Sequence, residues 1–151
     1  GGGIPGLVVA VARPTLTMAL LDATAKRCRF LEEAVATLGL ADRVRVVEDR
    51  AEVAGRGPLR GTAEVVLARS FGAPATTAEC AAPLLAVGGR LLVSEPPEPD
   101  DDRWPPGPLR TLGLVPRERT GRPAVQVLFQ EAPCPGTYPR RDGIPAKRPL
   151  F

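Results

Sequence analysis

GGGIPGLVVAVARPTLTMALLD, residues 1–22, decides the fold. Gly1, Gly3 and Gly6 fit the spacing G-x-G-x-x-G, in which glycine lets the backbone pass close to a ligand and turn tightly into a helix. The run from Ile4 reads as that helix, ended before Pro14. LTMALLD (16–22) reads as a buried strand that finishes in Asp22, a carboxylate suited to accepting hydrogen bonds from ribose hydroxyls. By itself the motif serves a dinucleotide or an adenosyl group, or it serves no ligand and the glycines only let a helix pack close on a strand.

Working outward, residues 24–38 read as a helix with Phe30, Leu31, Ala34, Val35 and Leu38 on its apolar face and Gly39 as its stop. RVRVVED (43–49) and TAEVVLARS (62–70) read as strands. Residues 75–86 read as a helix ending at Gly88-Gly89, before a strand RLLVSE (90–95). An acidic, proline-rich loop (96–108) and a short helix (108–113) precede the strands VPRERT and AVQVLFQ. Strand–helix alternation implies a parallel sheet with helices on both faces, and the closing strand pair implies an antiparallel hairpin at one edge. The expected class is α/β, a Rossmann-like sheet with an antiparallel C-terminal hairpin. PLLAVGGRLLVSE (83–95) resembles the helix–Gly-Gly–strand passage of S-adenosylmethionine methyltransferases. A nicotinamide domain more often ends its sheet with parallel strands.

Composition narrows the classes. The 151 residues suit one domain, and 44% hydrophobic residues suffice for a packed core. No apolar run reaches the ~18 residues of a membrane span, and no basic region precedes the first apolar stretch, so neither an anchor nor a signal peptide is expected. Cys28, Cys80 and Cys134 are widely spaced, without CxxC and without any histidine. Neither a metal centre nor a disulfide framework is expected, and the cytoplasm is the natural compartment. Cys80 is expected in the core. The net charge is only +3, but the segment Thr137–Phe151 sets Arg140, Arg141, Lys147 and Arg148 against Asp142 alone, which suits an anionic partner. Lys26, Arg27 and Arg29 crowd a helix N-terminus, where the macrodipole disfavours cations by a few tenths of a kcal/mol each. Phosphate contact would offset that cost, and so would screening by solvent.

Four passages resemble the 16S ribosomal RNA guanine-N7 methyltransferases, also called glucose-inhibited division protein B. GGGIPGLVVAVARP is similar to the family's glycine loop and first helix, and LLDATAKRCRFLEE (20–33) to its second strand and basic-headed helix. DRAEV (49–53) and LARSF (67–71) are similar to its third and fourth strand ends. YPRRDGIPAKRPL (138–150) is similar to its C-terminal signature, the most specific of the four. The resemblance implies methyl transfer from S-adenosylmethionine to guanine N7 of 16S ribosomal RNA, free or in the small-subunit particle. It implies a cofactor site at Gly1, Gly3, the apolar Ile4, Asp22, the adenine-framing pair Ala51 and Glu52, and Arg69. With the basic helix head and tail, it implies RNA contacts at Lys26, Arg27, Tyr138, Arg140, Arg141, Lys147 and Arg148. No residue is expected to act as acid or base, since N7 offers a lone pair and loses no proton.

The implied layout is a methyltransferase domain over 1–130, incomplete at its N-terminus, and a basic tail over 131–151. The family's first strand precedes the glycine loop and is missing here, which should leave two unpaired sheet edges. A second departure follows the fifth strand, where the family's usual lysine–glycine pair is replaced by Ser94-Glu95 and an acidic loop through Asp102. Three rivals stay open at this point. A nicotinamide oxidoreductase would need hydride-transfer residues, which a chain with no histidine and one tyrosine supplies poorly. The others are a non-enzymatic RNA-binding remnant and a methyltransferase of this fold with another substrate.

Overall fold

The computed structural model describes residues 1–98 and 101–151. The elements run α1 (Gly6–Ala12), β1 (Met18–Asp22), α2 (Ala25–Thr37), β2 (Val44–Glu48), α3 (Ala51–Ala54), β3 (Ala63–Ala68), α4 (Pro74–Ala81), β4 (Leu85–Ser94), α5 (Pro106–Arg110), β5 (Leu114–Thr120), β6 (Val125–Gln130) and α6 (Ile144–Lys147). The chain divides into two compact units, Gly1–Ala51 and Glu52–Phe151. Residues 131–151 belong to the second of these units.

In the first unit β1 and β2 pair in parallel, from Met18 opposite Val44 to Asp22 opposite Glu48. Leu7 and Ala10 of α1 and Leu31 and Val35 of α2 join Leu20, Leu40 and Val44 in one core. A Cβ on Gly6 would stand 2.6 Å from Leu20 Cδ2, so the third glycine of the motif is the one that lets α1 lie close to β1. The apolar face of α2 differs from the expected one. It buries Cys28, Leu31 and Val35, while Phe30 is 52% exposed and Leu38 49%. Cys28 sets the stripe: its thiol reaches the carbonyl of Asp22 at 3.2 Å, and 28, 31 and 35 follow at helical spacing.

In the second unit the strand order is β3-β4-β6-β5. β3 and β4 are parallel, and β6 is antiparallel to both β4 and β5, so the closing hairpin lies at one edge as expected. Ala78, Ala81, Ala82 and Leu109 pack with Leu91, Val93, Leu114, Leu128 and Trp104, and Cys80 is buried nearby. Gly88-Gly89 does not separate a helix from β4 but lies inside the strand. The β3–β4 register shifts there, Gly88 has φ +89, and a Cβ on Gly89 would meet the carbonyl oxygens of Ala86, Ala63 and Glu64 at 2.9–3.0 Å. The pair thus accommodates a bulge. Among the described residues β1 pairs only with β2, and β3 only with β4. Each therefore has an open edge.

Glu95 heads the acidic loop yet is buried. It accepts hydrogen bonds from Arg103 Nε at 3.0 Å and Trp104 Nε1 at 3.1 Å. The loop thus begins by closing on its own far side, with residues 99 and 100 outside the described residues.

Arg43 holds the first unit together in a comparable way. Its guanidinium donates to the carbonyls of Ala10 (2.7 Å), Leu16 (3.2 Å) and Arg13 (3.3 Å), tying the end of α1 to the approach to β1. Arg43→Ala should cost the first unit about 2 kcal/mol in urea denaturation. A loss below about 0.5 kcal/mol would show that water replaces these bonds without penalty.

Candidate functional site

Parallel strands end at the same edge, and open α/β sheets bind their ligands at the carboxyl edge. In the first unit that edge carries Asp22. Its Oδ1 accepts the Thr24 N–H at 2.9 Å, and Arg27 Nη1 stands 3.6 Å from Oδ2. Gly3 opens the helical turn: its carbonyl accepts the Leu7 N–H at 2.6 Å. At φ +80 it also has no room for a side chain, since a Cβ would meet Leu7 Cδ1 at 2.4 Å. Ile4 is exposed and Ala51 buried. Lys26, Arg27 and Arg29 are all exposed along the start of α2.

In the second unit Glu52 is buried in the first turn of α3, and its Oε1 accepts the N–H of Gly143 at 2.9 Å. Arg69 is exposed immediately after β3, at the carboxyl edge of the β3–β4 pair. The tail residues separate into two sets. Tyr138 packs half-buried against the core. Arg140 is bound to Glu79, donating through Nε at 2.8 Å and Nη2 at 2.6 Å, while its backbone N–H reaches the same carboxylate at 2.9 Å. Arg141, Lys147 and Arg148 are exposed.

The residues that hold this segment were not singled out from the sequence. Arg60 donates to the carbonyls of Tyr138 (2.7 Å), Cys134 (2.8 Å) and Pro135 (3.0 Å). Arg56 donates to those of Arg140 (3.0 Å) and Pro139 (3.4 Å) and to Asp142 Oδ1 (2.7 Å). Glu79 did leave a signal. It is the one carboxylate in PATTAECAAPLL, a run of small and apolar residues, and a carboxylate among such neighbours needs a cation.

The family model for rRNA small subunit methyltransferase G matches residues 1–100. The ribosomal RNA small subunit methyltransferase G of Roseiflexus castenholzii is 39% identical over 160 residues, which take in 100% of this chain and 68% of the relative. That of Chloroflexus aggregans is 37% identical over 161 residues, covering 99% and 66%. The chain belongs to the rRNA small subunit methyltransferase G family. It spans about two thirds of the length of these family members. Two solved structures share the fold with a TM-score of 0.61. One is an O-methyltransferase family protein of Burkholderia thailandensis, 19% identical, with 83% of this chain and 47% of that one covered. The other is the antibiotic-resistance methyltransferase Kmr, 18% identical, with 87% and 84% covered. The family kinship and the α/β methyltransferase class read from the sequence are therefore both correct. No helix among the described residues is long and apolar enough to cross a membrane.

Cys134 lies where the arginine clasp meets the core. Burial pushes its thiol up, Arg60 pulls it back only in part, and Glu79 adds to the rise, so that it reaches about 11. Thiolate is the reactive form. Alkylation of Cys134 by iodoacetamide should be negligible at neutral pH and should climb as pH approaches 11. A rate at pH 8 equal to that of free cysteine would contradict this environment.

Proposed function

We propose that this chain transfers a methyl group from S-adenosylmethionine to guanine N7 of small-subunit ribosomal RNA. One observation carries the reading: ribosomal RNA small subunit methyltransferase G of R. castenholzii matches the chain along its entire length. The cytoplasm is the compartment that goes with such a substrate, either 16S ribosomal RNA or the small-subunit particle.

The residues suit the cofactor by their chemistry. A Cβ on Gly1 or Gly2 would meet nothing within 4 Å, so the backbone there is open to close approach. S-adenosylmethionine supplies a methyl group on a cationic sulfur. From the first unit, Asp22 accepts from ribose hydroxyls, Gly1 and Gly3 shape the turn into α1, and Ile4 and Ala51 offer apolar contact. From the second, Glu52, a carboxylate, accepts from the adenine amine. Arg69 pairs with the methionine carboxylate.

On the RNA side, Lys26 and Arg27 on α2 and Arg141, Lys147 and Arg148 in the tail meet phosphates. Tyr138, half-buried, offers the exposed part of its ring for stacking, and Arg140 serves the tail surface indirectly, by its pairing with Glu79. Guanine N7 has a lone pair and no proton to lose, so the reaction asks the protein for orientation. Well-aligned reactants can gain roughly 7–11 kcal/mol from positioning.

Two measurements test the reading. By calorimetry the chain should bind S-adenosylmethionine, and Asp22→Ala should weaken binding by about tenfold or more, the value of a charge-assisted hydrogen bond. Binding of NAD without S-adenosylmethionine would sink it. In titrations of 16S ribosomal RNA against salt, Arg141→Ala and Lys147→Ala should each lower the log–log slope by roughly 0.7. Slopes unchanged in both would remove the tail from the interface.

A further inference from the structure

We infer that Glu79 and Arg60 are positioning residues for RNA binding: they hold residues 134–148 as a preformed arm that presents Arg141, Lys147 and Arg148 to phosphates. The inference rests on the proposed RNA substrate and goes beyond it by assigning work to residues that never touch RNA.

The backbone groups of residues 134–148 need hydrogen-bond partners. Its one helix, α6, is a single turn, so strand and helix ladders satisfy little of it. Side chains of the second unit do so instead. Arg60 takes the carbonyls of Cys134, Pro135 and Tyr138, and Arg56 those of Pro139 and Arg140. The Thr76 hydroxyl donates to the carbonyl of Pro145 at 3.1 Å. Glu79 and Glu52 accept the N–H groups of Arg140 and Gly143. Arg140 Nη2 also donates to the carbonyl of Arg148 at 2.7 Å, closing the segment on itself.

Burial decides which of these matters most. The Glu79 side chain is 0% exposed and that of Arg140 28%. Burying a carboxylate this fully without a partner is costly, and the planar fork of Arg140 meets it through two nitrogens. Two neighbouring arginines thereby do opposite jobs. Arg140 turns inward to anchor the arm, and Arg141 is left in solvent. A disordered basic tail would have to be ordered on each binding event, and a fixed arm avoids that cost.

The test uses the full chain, a 16S ribosomal RNA transcript, S-adenosylmethionine, and amide exchange across 138–148. In E79Q the amides of Arg140 and Gly143 should exchange faster. RNA affinity should fall on the order of tenfold, with S-adenosylmethionine affinity unchanged. Adding Arg140→Gln to E79Q should cost no further affinity, since the cycle isolates the pair. Faster exchange with unaltered RNA affinity would overturn the inference. So would a further tenfold loss in the double variant, because Arg140 would then touch RNA itself. If E79Q does not fold, R60K keeps the charge and loses the fork, and the same exchange and affinity readouts apply. A wild-type chain that takes S-adenosylmethionine but no RNA removes the functional reading and this inference together. Normal wild-type binding with an indifferent E79Q removes this inference alone.

Discussion

A carboxylate with no exposed surface has few ways to exist, and Glu79 has taken the pairing with Arg140. Much of the second unit follows from that contact. The pair fixes the C-terminal segment on α4. Arg56 and Arg60 can then take up carbonyls that no strand or helix would satisfy. What remains outside is the cationic remainder of the segment. Removing either partner would leave the other's charge uncompensated, which is the costly kind of change.

Most of the fold was legible because it rests on periodicity. Strands such as Val44–Glu48 and Ala63–Ala68 show themselves as short β-branched runs between turn residues, and the glycine turn with Asp22 marks a nucleotide-type head. The misreadings share one cause, tertiary context acting at a single residue. Phe30 and Leu38 are large and apolar, so they drew the helix face toward themselves, while the small Cys28 is what the structure buries. Gly88-Gly89 has the composition of a turn, and only the pairing of β4 with β3 on both sides of it shows that it lies within a strand.

The candidate site divides along the same line. The place of Asp22 at the end of β1 was readable from the apolar run before it. The tail cations were readable as a set, but the sequence has no local signal that separates Arg140 from Arg141, because the distinction lies in a partner 61 residues away. Arg60, among ordinary turn residues, carried no signal at all. Its role is visible only through the carbonyls it gathers.

A family likeness that runs the length of the chain implies one chemistry, methyl transfer to guanine N7. Its most direct test is to incubate the purified chain with S-adenosylmethionine and unmethylated small-subunit ribosomal RNA, then identify the modified nucleoside by mass spectrometry. The account predicts methyl on N7 of a guanine. A methyl on any other atom, or none despite binding of both reactants, would contradict it.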